Sequence, residues 1–268
     1  MLARGTTPGV STVYALQYGR RAGVRGEHFL GWDSSSGEPH EIAYYAWLVL
    51  SADRTILVDA GMDPDREPPL KGWSFRTSVP ALLADVGISP AGIDTLVLTH
   101  LHYDHAGGVR SFPAARVFVQ AAELAYWAGP AARRNAREAW LLDHQDLRHV
   151  VALIEGGRAV AFAGDGEVAP GVSAVLVGGH TAGMQIVAVR TATGPLVLAS
   201  DALHFFENLE TDRPGTVLHS MPEVYLAFDR ARELARGGPI VPGHDPSVPD
   251  RWGFRSRSGL PAGVTRLA

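Results

Sequence analysis

Three histidines and one aspartate lie within six residues of this chain, directly after an apolar segment. The stretch reads LTHLHYDHAGG over residues 98–108, and its candidate ligands are His100, His102, Asp104 and His105. Imidazole nitrogen and carboxylate oxygen bind zinc and similar divalent ions, and two such ions about 3.5–4 Å apart can activate water and stabilise developing charge. Imidazoles packed side by side without compensation would lose solvation together. The cluster therefore predicts a metal site, although these ligands are too few to complete a pair of ions.

Three further segments combine a short apolar run with a ligand-type residue. His180 lies in GGHTAG after the run 175–177, Asp201 lies in ASD after 196–198, and His244 lies in PGHD after 240–241. A single histidine or aspartate in such a place is more often a structural or capping residue than a ligand. The same arrangement after four separate apolar runs, with small residues that leave room for ions, favours one shared centre of two metals.

The elements that must position these residues are predicted from apolar periodicity. Strands are predicted for runs rich in β-branched and aliphatic residues: 13–16, 45–50, 55–58, 95–98, 172–177, 186–189, 196–198 and 240–241. The short polar connection between 45–50 and 55–58 predicts a hairpin. Helices are predicted for 78–87, for 121–153 with a break at Gly129-Pro130, and for 222–236. Residues 100–105 follow a strand without a helix signal, so they are predicted to lie on a loop.

The order of these elements predicts the fold class. Each half of the chain has strands followed by helices, which favours two β-sheets packed face to face with helices outside, rather than a doubly wound parallel sheet. A chain of 268 residues can bury such a core as one domain, so a single domain over residues 1–268 is expected. The polar segment 19–40 is predicted to be a long loop, either a lid or a plain connection.

Composition excludes several classes of site and partner. The chain has no cysteine, which rules out disulfides, thiolate metal ligands and a cysteine nucleophile. A net charge of −4 without a basic region gives no reason to expect nucleic acid as a partner. No segment is predicted to be a secretory leader or to insert into a membrane. We therefore expect a cytoplasmic protein that acts on a small molecule, as a monomer or a homodimer.

The His-x-His-x-Asp-His run, followed in order by single His, Asp and His ligands, resembles the metallo-β-lactamase superfamily. The resemblance extends from TILVDAGMD, residues 55–63, to IVPGHD, residues 240–245. It implies an αββα sandwich, in which two mixed β-sheets are flanked by helices. It also implies two divalent ions, expected to be Zn²⁺: one on His100, His102 and His180, the other on Asp104, His105 and His244, with Asp201 bridging them. Asp59, in the DAG turn, would orient a ligand or the turn itself.

Two later segments narrow the expected function. SDALHFFENLETDRP, residues 200–214, and MPEVYLAFDRARELA, residues 221–235, are similar to bacterial N-acyl-homoserine lactonases. This similarity implies that a hydroxide bridging the ions opens the ring of an N-acyl-homoserine lactone or related small lactone, with Asp201 or Asp104 moving the proton. The alternative is a metal-dependent hydrolase of another ester, a thioester or a lactam, of the glyoxalase-II or lactamase type. A non-catalytic metal-binding or redox scaffold ranks third.

One residue departs from the lactonase pattern. These enzymes carry a tyrosine three residues after the bridging aspartate, whereas this chain has His204. An imidazole there could donate to the substrate carbonyl or protonate the leaving alkoxide, or it could simply pack beside Phe205. Aromatic residues near the site are expected either to line an apolar groove for an acyl chain or to belong to the ordinary core: Phe29, Trp32, Phe205 and Phe206, with Trp73 and Phe75 as weaker candidates.

Overall fold

A computed structural model describes residues 2–251 and 259–268. Its strands are β1 Thr12–Val24, β2 Pro39–Leu50, β3 Thr55–Val58, β4 Trp73–Arg76, β5 Thr95–Val97, β6 Arg116–Gln120, β7 Ala159–Phe162, β8 Gly166–Ala169, β9 Val172–Leu176, β10 Gln185–Thr191, β11 Gly194–Ser200, β12 Ile240–Pro242 and β13 Val264–Arg266. Its α-helices are α1 Val79–Asp85, α2 Tyr103–Ala106, α3 Ala121–Ala128, α4 Pro130–Arg134, α5 His144–Glu155, α6 Phe206–Glu210 and α7 Met221–Ala235. Short 3₁₀ turns cover Arg25–Glu27, Pro90–Gly92, Gly107–Ser111 and Ala139–Leu141.

The strands form two mixed sheets. The first has the order β13-β1-β2-β3-β5-β6-β7, with β4 also paired to β1. In this sheet β3, β5, β6 and β7 run parallel, whereas the pairs around β1 and β2 are antiparallel. The second sheet has the order β12-β11-β10-β9-β8, and β12 runs parallel to β11 while the other pairs are antiparallel.

Alternation of side chains along the strands builds three apolar layers. In β1, Tyr14 and Leu16 point toward the helices on the outside of the first sheet, whereas Val13 and Ala15 point into the layer between the two sheets. A third layer lies between the second sheet and α7, where Phe228 is 1% exposed. Burial of a side chain of this size contributes about 1.5–3 kcal/mol. The layers run helix, sheet, sheet, helix, so the predicted αββα sandwich is confirmed.

Several local predictions agree with the structure. The hairpin is formed by β2 and β3, in which Trp47 pairs with Val58. Helix α1 begins after Ser78, whose hydroxyl accepts a hydrogen bond from the Ala81 N–H. The helical region after residue 121 is interrupted where predicted, because α3 ends before Gly129 and α4 begins at Pro130. These elements begin and end with signals that are local in sequence.

Two predictions of loop structure are wrong. Strand β1 continues to Val24 and pairs there with Pro39 of β2, so the loop predicted over 19–40 is a long hairpin closed by residues 25–38. This end of the hairpin is partly exposed and carries polar residues, so its sequence lacks the apolar pattern that predicts a strand. Asp104 and His105 lie on the short helix α2 rather than on a loop.

None of the helices in residues 2–251 and 259–268 combines the length and the apolar character needed to cross a membrane.

Candidate metal centre

The predicted ligands meet where strands of both sheets end. Strands β3 and β5 are parallel neighbours in the first sheet, and β11 and β12 are parallel neighbours in the second. Parallel neighbours present their carboxyl ends at one edge, and the Gln185 N–H donates to the Thr99 carbonyl at 3.0 Å, which joins the two edges. All of the predicted ligands come together there, each 8% exposed or less: His100, His102, Asp104, His105, His180, Asp201 and His244.

One group of ligands consists of His100, His102 and His180. One ring nitrogen from each lies within 4.8 Å of the others, and His102 Nδ1 is 3.1 Å from His180 Nε2. Nitrogens bound to one tetrahedral zinc at about 2.0–2.1 Å lie about 3.4 Å apart. Among the described residues, His100 Nε2 is buried and has no hydrogen-bond partner. These imidazoles are therefore spaced to hold one ion.

A second group consists of Asp104, His105 and His244. Its ligand atoms also lie within 4.8 Å of one another. Asp104 Oδ2 is 3.7 Å from His105 Nε2 and 3.8 Å from His244 Nε2. Two imidazoles and one carboxylate form a donor set that suits a divalent ion such as zinc.

Asp201 lies between the two groups. Its Oδ1 is 3.2 Å from His105 Nε2, and its Oδ2 is 3.4 Å from His180 Nε2 and 3.1 Å from His244 Nε2. In the described chain, Asp201 Oδ1 and His105 Nε2 are both buried and form an ion-pair contact at 3.2 Å, but neither has a hydrogen-bond partner. Buried polar atoms are normally paired, so these unpaired atoms and the donor set fit bound divalent metal.

Hydrogen bonds hold the second ring nitrogen of most of these histidines. Each such bond orients the ring and directs Nε2 toward the centre. The bonds join Nδ1 of His100 to Thr99 Oγ1 at 3.0 Å, His105 to Asp59 Oδ2 at 2.8 Å, His180 to the Val217 carbonyl at 3.0 Å, and His244 to the Ala43 carbonyl at 2.7 Å.

Asp59 connects three strand ends around His105. Its Oδ1 accepts from the Thr99 N–H at 2.8 Å, and its Oδ2 accepts from the hydroxyls of Thr99 at 2.8 Å and Ser200 at 3.2 Å. Asp59 has a φ of 60°, a left-handed conformation that aspartate tolerates better than most residues. The DAG turn thus places its carboxylate against His105, the position predicted for a residue that orients a ligand.

The glycines of the HLHYDHAGG motif allow the ligand helix to approach the DAG turn. A Cβ on Gly108 would lie 2.2 Å from the Ala60 carbonyl oxygen, and a Cβ on Gly107 would lie 2.7 Å from the Asp63 nitrogen. The Ala60 N–H also donates to the His105 carbonyl at 2.7 Å. Larger residues here would separate α2 from Asp59.

Electrostatics divides the histidines into two kinds. Burial lowers the pKa of His100 and His102 well below its usual value and lowers the pKa of His180 to about 3. Burial also acts on His105 and His244, but nearby carboxylates, with Asp201 first, outweigh it and raise their pKa. For Asp201, burial is outweighed by the surrounding histidines, which hold its pKa well below the usual value. Asp201 is therefore ionised at neutral pH.

The low pKa of His180 predicts a pH-dependent stability of the metal-free protein. Below about pH 6.5 the unfolded chain protonates this imidazole while the folded chain does not, so the free energy of unfolding falls as the pH falls toward 3. A difference of one bound proton between the unfolded and the folded chain changes the free energy of unfolding by about 1.4 kcal/mol per pH unit. Between pH 6 and 4.5, metal-free wild type should therefore lose stability more steeply than metal-free His180→Gln, by about that slope. Denaturant titrations at several pH values measure it, and parallel slopes would contradict it.

A cavity of about 240 Å³ opens above the centre. His102, Asp104, His180, Asp201 and His244 lie at its floor, and His204 lies beside them. Its apolar lining comes from Ile42, Tyr44, Leu70, Tyr103, Trp140 and Leu141, and further polar lining comes from Arg21, Glu27 and His28. Volume and lining suit a small ligand that has both polar and apolar parts.

The aromatic residues predicted to line an apolar groove are absent from this lining. Phe29 and Phe205 pack against each other in the interior, with ring centroids 5.3 Å apart. Trp32 is 85% exposed on the 25–38 loop, Phe206 lies under the Arg251 guanidinium, and Trp73 packs behind Tyr44. The side chain of Phe75 lies outside the described part of the structure. Phe29 and Phe205 therefore belong to the core, the second of the two predicted alternatives, and none of the described candidates lines the cavity, because distance along the chain does not determine which rings face it.

Three aromatic residues that line the cavity were not predicted from the sequence. Tyr103 lies inside the metal motif and could have been noted there. Tyr44 lies on β2, where every second residue faces the same side. Only the strand register in the folded chain brings its ring centroid to 5.1 Å from that of His244. Trp140 lies on the 3₁₀ turn Ala139–Leu141 between α4 and α5, and no local signal predicted its position.

His204 lies beside the candidate ligands and lines the cavity. Its Nε2 is 3.2 Å from Asp201 Oδ2, and its ring lies edge-on to His180 and stacked on His244. The side chain remains 14% exposed to the cavity. His180, Asp201 and His204 also form a group whose ligand atoms lie within 4.8 Å of one another.

Comparison with known proteins gives the same family throughout. A model of the metallo-beta-lactamase superfamily matches residues 42–244. The N-acyl homoserine lactonase AiiB of Agrobacterium fabrum is 30% identical over 231 residues, which cover 76% of this chain and 80% of that protein. An N-acyl homoserine lactonase of a Bacillus species is 31% identical over 193 residues, which cover 66% and 71%.

A solved structure agrees in fold. The structure of a quorum-quenching N-acyl homoserine lactone hydrolase matches with a TM-score of 0.70 at 25% identity, over 89% of this chain and 93% of that one. The region matched by the family model contains every residue of the two ligand groups and Asp201. The chain is therefore a metal-dependent hydrolase that belongs to the metallo-beta-lactamase superfamily.

Proposed function

We propose that this hydrolase opens the ring of an N-acyl homoserine lactone or a related small lactone. The observation that carries the proposal is the buried His and Asp centre at the floor of a cavity of about 240 Å³, in a chain whose relatives are named N-acyl homoserine lactonases. A cavity of this size has room for a lactone ring, and its partly apolar lining would contact the rest of the substrate.

The proposed cofactor is a pair of divalent ions, preferentially Zn²⁺. His100, His102 and His180 would hold one ion, Asp104, His105 and His244 the other, and Asp201 would contact both. When bound, such a pair supplies an activated water and polarises an ester carbonyl. The mixture of imidazole and carboxylate donors, without thiolate, favours zinc or a similar ion.

The side chains of this centre would also handle the protons of the reaction. The Asp201 carboxylate, ionised and within 3.4 Å of three imidazoles, can accept a proton from the attacking water. The same proton, carried by Asp201 or by Asp104, would reach the ring oxygen as the ring C–O bond breaks, so that the proton lost by the water ends on the alkoxide. His204 faces the cavity and would donate a hydrogen bond to the carbonyl or protonate the leaving alkoxide.

The role of His204 is tested by two substitutions. His204→Ala should retain both metals but lower turnover by about 10- to 1,000-fold, as expected for loss of one donor to a developing oxyanion. His204→Tyr should recover part of this loss because a phenol can donate the same hydrogen bond. Kinetics and metal analysis of both variants measure this. Unchanged turnover in the alanine variant would remove His204 from the reaction, and a fall in metal content would make it a ligand instead.

A substrate screen tests the proposed function itself. Zinc-loaded protein should hydrolyse acyl-homoserine lactones and related small lactones with a higher kcat/KM than β-lactams, glutathione thioesters or phosphotriesters. Asp201→Asn, measured in parallel, separates hydrolysis at this centre from a contaminating esterase. Faster turnover of a β-lactam or a thioester would assign the enzyme to that substrate class and overturn the lactonase proposal.

A further inference from the structure

Glu123, near the start of α3, is a fully buried carboxylate behind the first ligand group. Its Oε1 accepts hydrogen bonds from the Leu101 N–H at 3.0 Å and the Trp127 indole N–H at 2.8 Å. Its Oε2 accepts from the Thr181 hydroxyl at 2.7 Å and the Gly183 N–H at 2.8 Å. Both oxygens are thus fully engaged, and three of the donors belong to segments that carry metal ligands.

The two segments come from different sheets. Leu101 lies between His100 and His102 after β5 of the first sheet, whereas Thr181 directly follows His180 after β9 of the second. Glu123 binds one segment through each oxygen and therefore joins them. The contact is close because residue 183 is glycine: a Cβ there would lie 2.2 Å from the Glu123 nitrogen.

We propose that Glu123 is a positioning residue that sets the distance between His180 and the pair His100 and His102. The inference rests on the proposed two-ion centre. Glu123 would position this ligand group as Asp59 positions His105. Asp59 contacts the histidine ring itself, whereas Glu123 acts through the backbone and Thr181. Preorganised ligand spacing raises metal affinity because less ordering is needed when the ion binds.

The direct test is Glu123→Gln. Glutamine keeps the shape, but its NH₂ group cannot accept, so either the Leu101 N–H or the Gly183 N–H loses its acceptor, whichever way the amide is turned. One ligand segment is then released. We expect the affinity for one zinc ion to fall by about 10- to 100-fold, as for other groups that orient ligands, while the second ion stays bound. Zinc titration of the metal-free protein, with metal analysis after dialysis at limiting free zinc, measures this.

A spectroscopic measurement identifies which ion is affected. In cobalt(II)-substituted Glu123→Gln, the shifted proton signals of His100, His102 and His180 should change, whereas those of His105 and His244 should stay as in wild type. Glu138→Gln is the matched control, because Glu138 is a buried glutamate that accepts from Tyr126 and, within residues 2–251 and 259–268, makes no hydrogen bond or ion pair to a ligand segment. It should bind both ions as wild type does.

Thr181→Val provides an independent variant should Glu123→Gln fail to fold. It removes one of the bonds to the Glu123 carboxylate and should weaken the same ion by a smaller factor. If wild type binds fewer than two zinc ions, the proposed function fails. If wild type binds two and both variants bind two with unchanged affinity, the Glu123 inference alone fails. Parallel weakening of both ions, with a lower Tm of the metal-free variant, would make Glu123 merely a structural residue and also overturn the inference.

Discussion

Asp201→Asn is expected to lower lactone hydrolysis by about three orders of magnitude, or about 4 kcal/mol of transition-state stabilisation, and to reduce the bound metal below two ions per chain. The reason is the position of the carboxylate, whose two oxygens lie within 3.4 Å of Nε2 of His105, His180 and His244. Asparagine keeps the volume but carries no charge, and it can offer only one oxygen.

Steady-state kinetics and metal analysis of the same preparation measure this effect. Asp229→Asn is the matched control, because Asp229 is an exposed aspartate on α7 that pairs with Arg232. It should retain full activity and full metal content. An Asp201→Asn enzyme with two ions and wild-type turnover would show that Asp201 neither bridges the ions nor takes part in the reaction.

Removal of metal by a chelator is expected to abolish hydrolysis and to lower the Tm by about 15 °C, from a linkage stabilisation of about 4 kcal/mol for each ion, or about 8 kcal/mol for two, at free zinc 1,000 times the Kd. The ligands are clustered and buried, and the described structure leaves His100 Nε2, His105 Nε2 and Asp201 Oδ1 without a hydrogen bond. Without ions these atoms are desolvated and unpaired, which costs stability.

Calorimetry before and after chelation, followed by addition of zinc, measures this expectation. Two equivalents should restore both the Tm and the activity, whereas magnesium, which prefers oxygen ligands, should restore neither. A chelated protein with an unchanged Tm and full turnover would contradict the metal centre as a whole.

The identity of the metal ligands could be predicted from the sequence because their signal is chemical and local. Metal binding is one of few roles that imidazole and carboxylate groups at the ends of apolar strands can share. The chain repeats this arrangement at His180, Asp201 and His244. The sheets that carry these strands were predictable for a similar reason, since their apolar runs are short and separated by polar turns.

Lengths of elements were less predictable where polar residues enter regular structure. The hairpin of β1 and β2 continues through Arg20 and Arg21 to Val24, although its residues there do not alternate as a half-buried strand should. Pairing with β2 and β4 stabilises this part of β1, and such pairing is invisible in a single segment. The residues of the apolar groove could not be predicted for the same reason. Phe29 and Phe205 pack against each other, and this contact is invisible in a single segment.

By itself, then, the amino-acid sequence determined the fold class, the superfamily and the set of candidate metal ligands, because each depends on residue type and on spacing along the chain. Only the tertiary structure decided which ring nitrogens face the centre, which aromatic side chains form the cavity, and that Glu123 joins the segments of His100 and His180. These features depend on how two sheets pack, since packing brings Leu101 and Thr181 to one carboxylate. No sequence pattern in either segment predicts that contact.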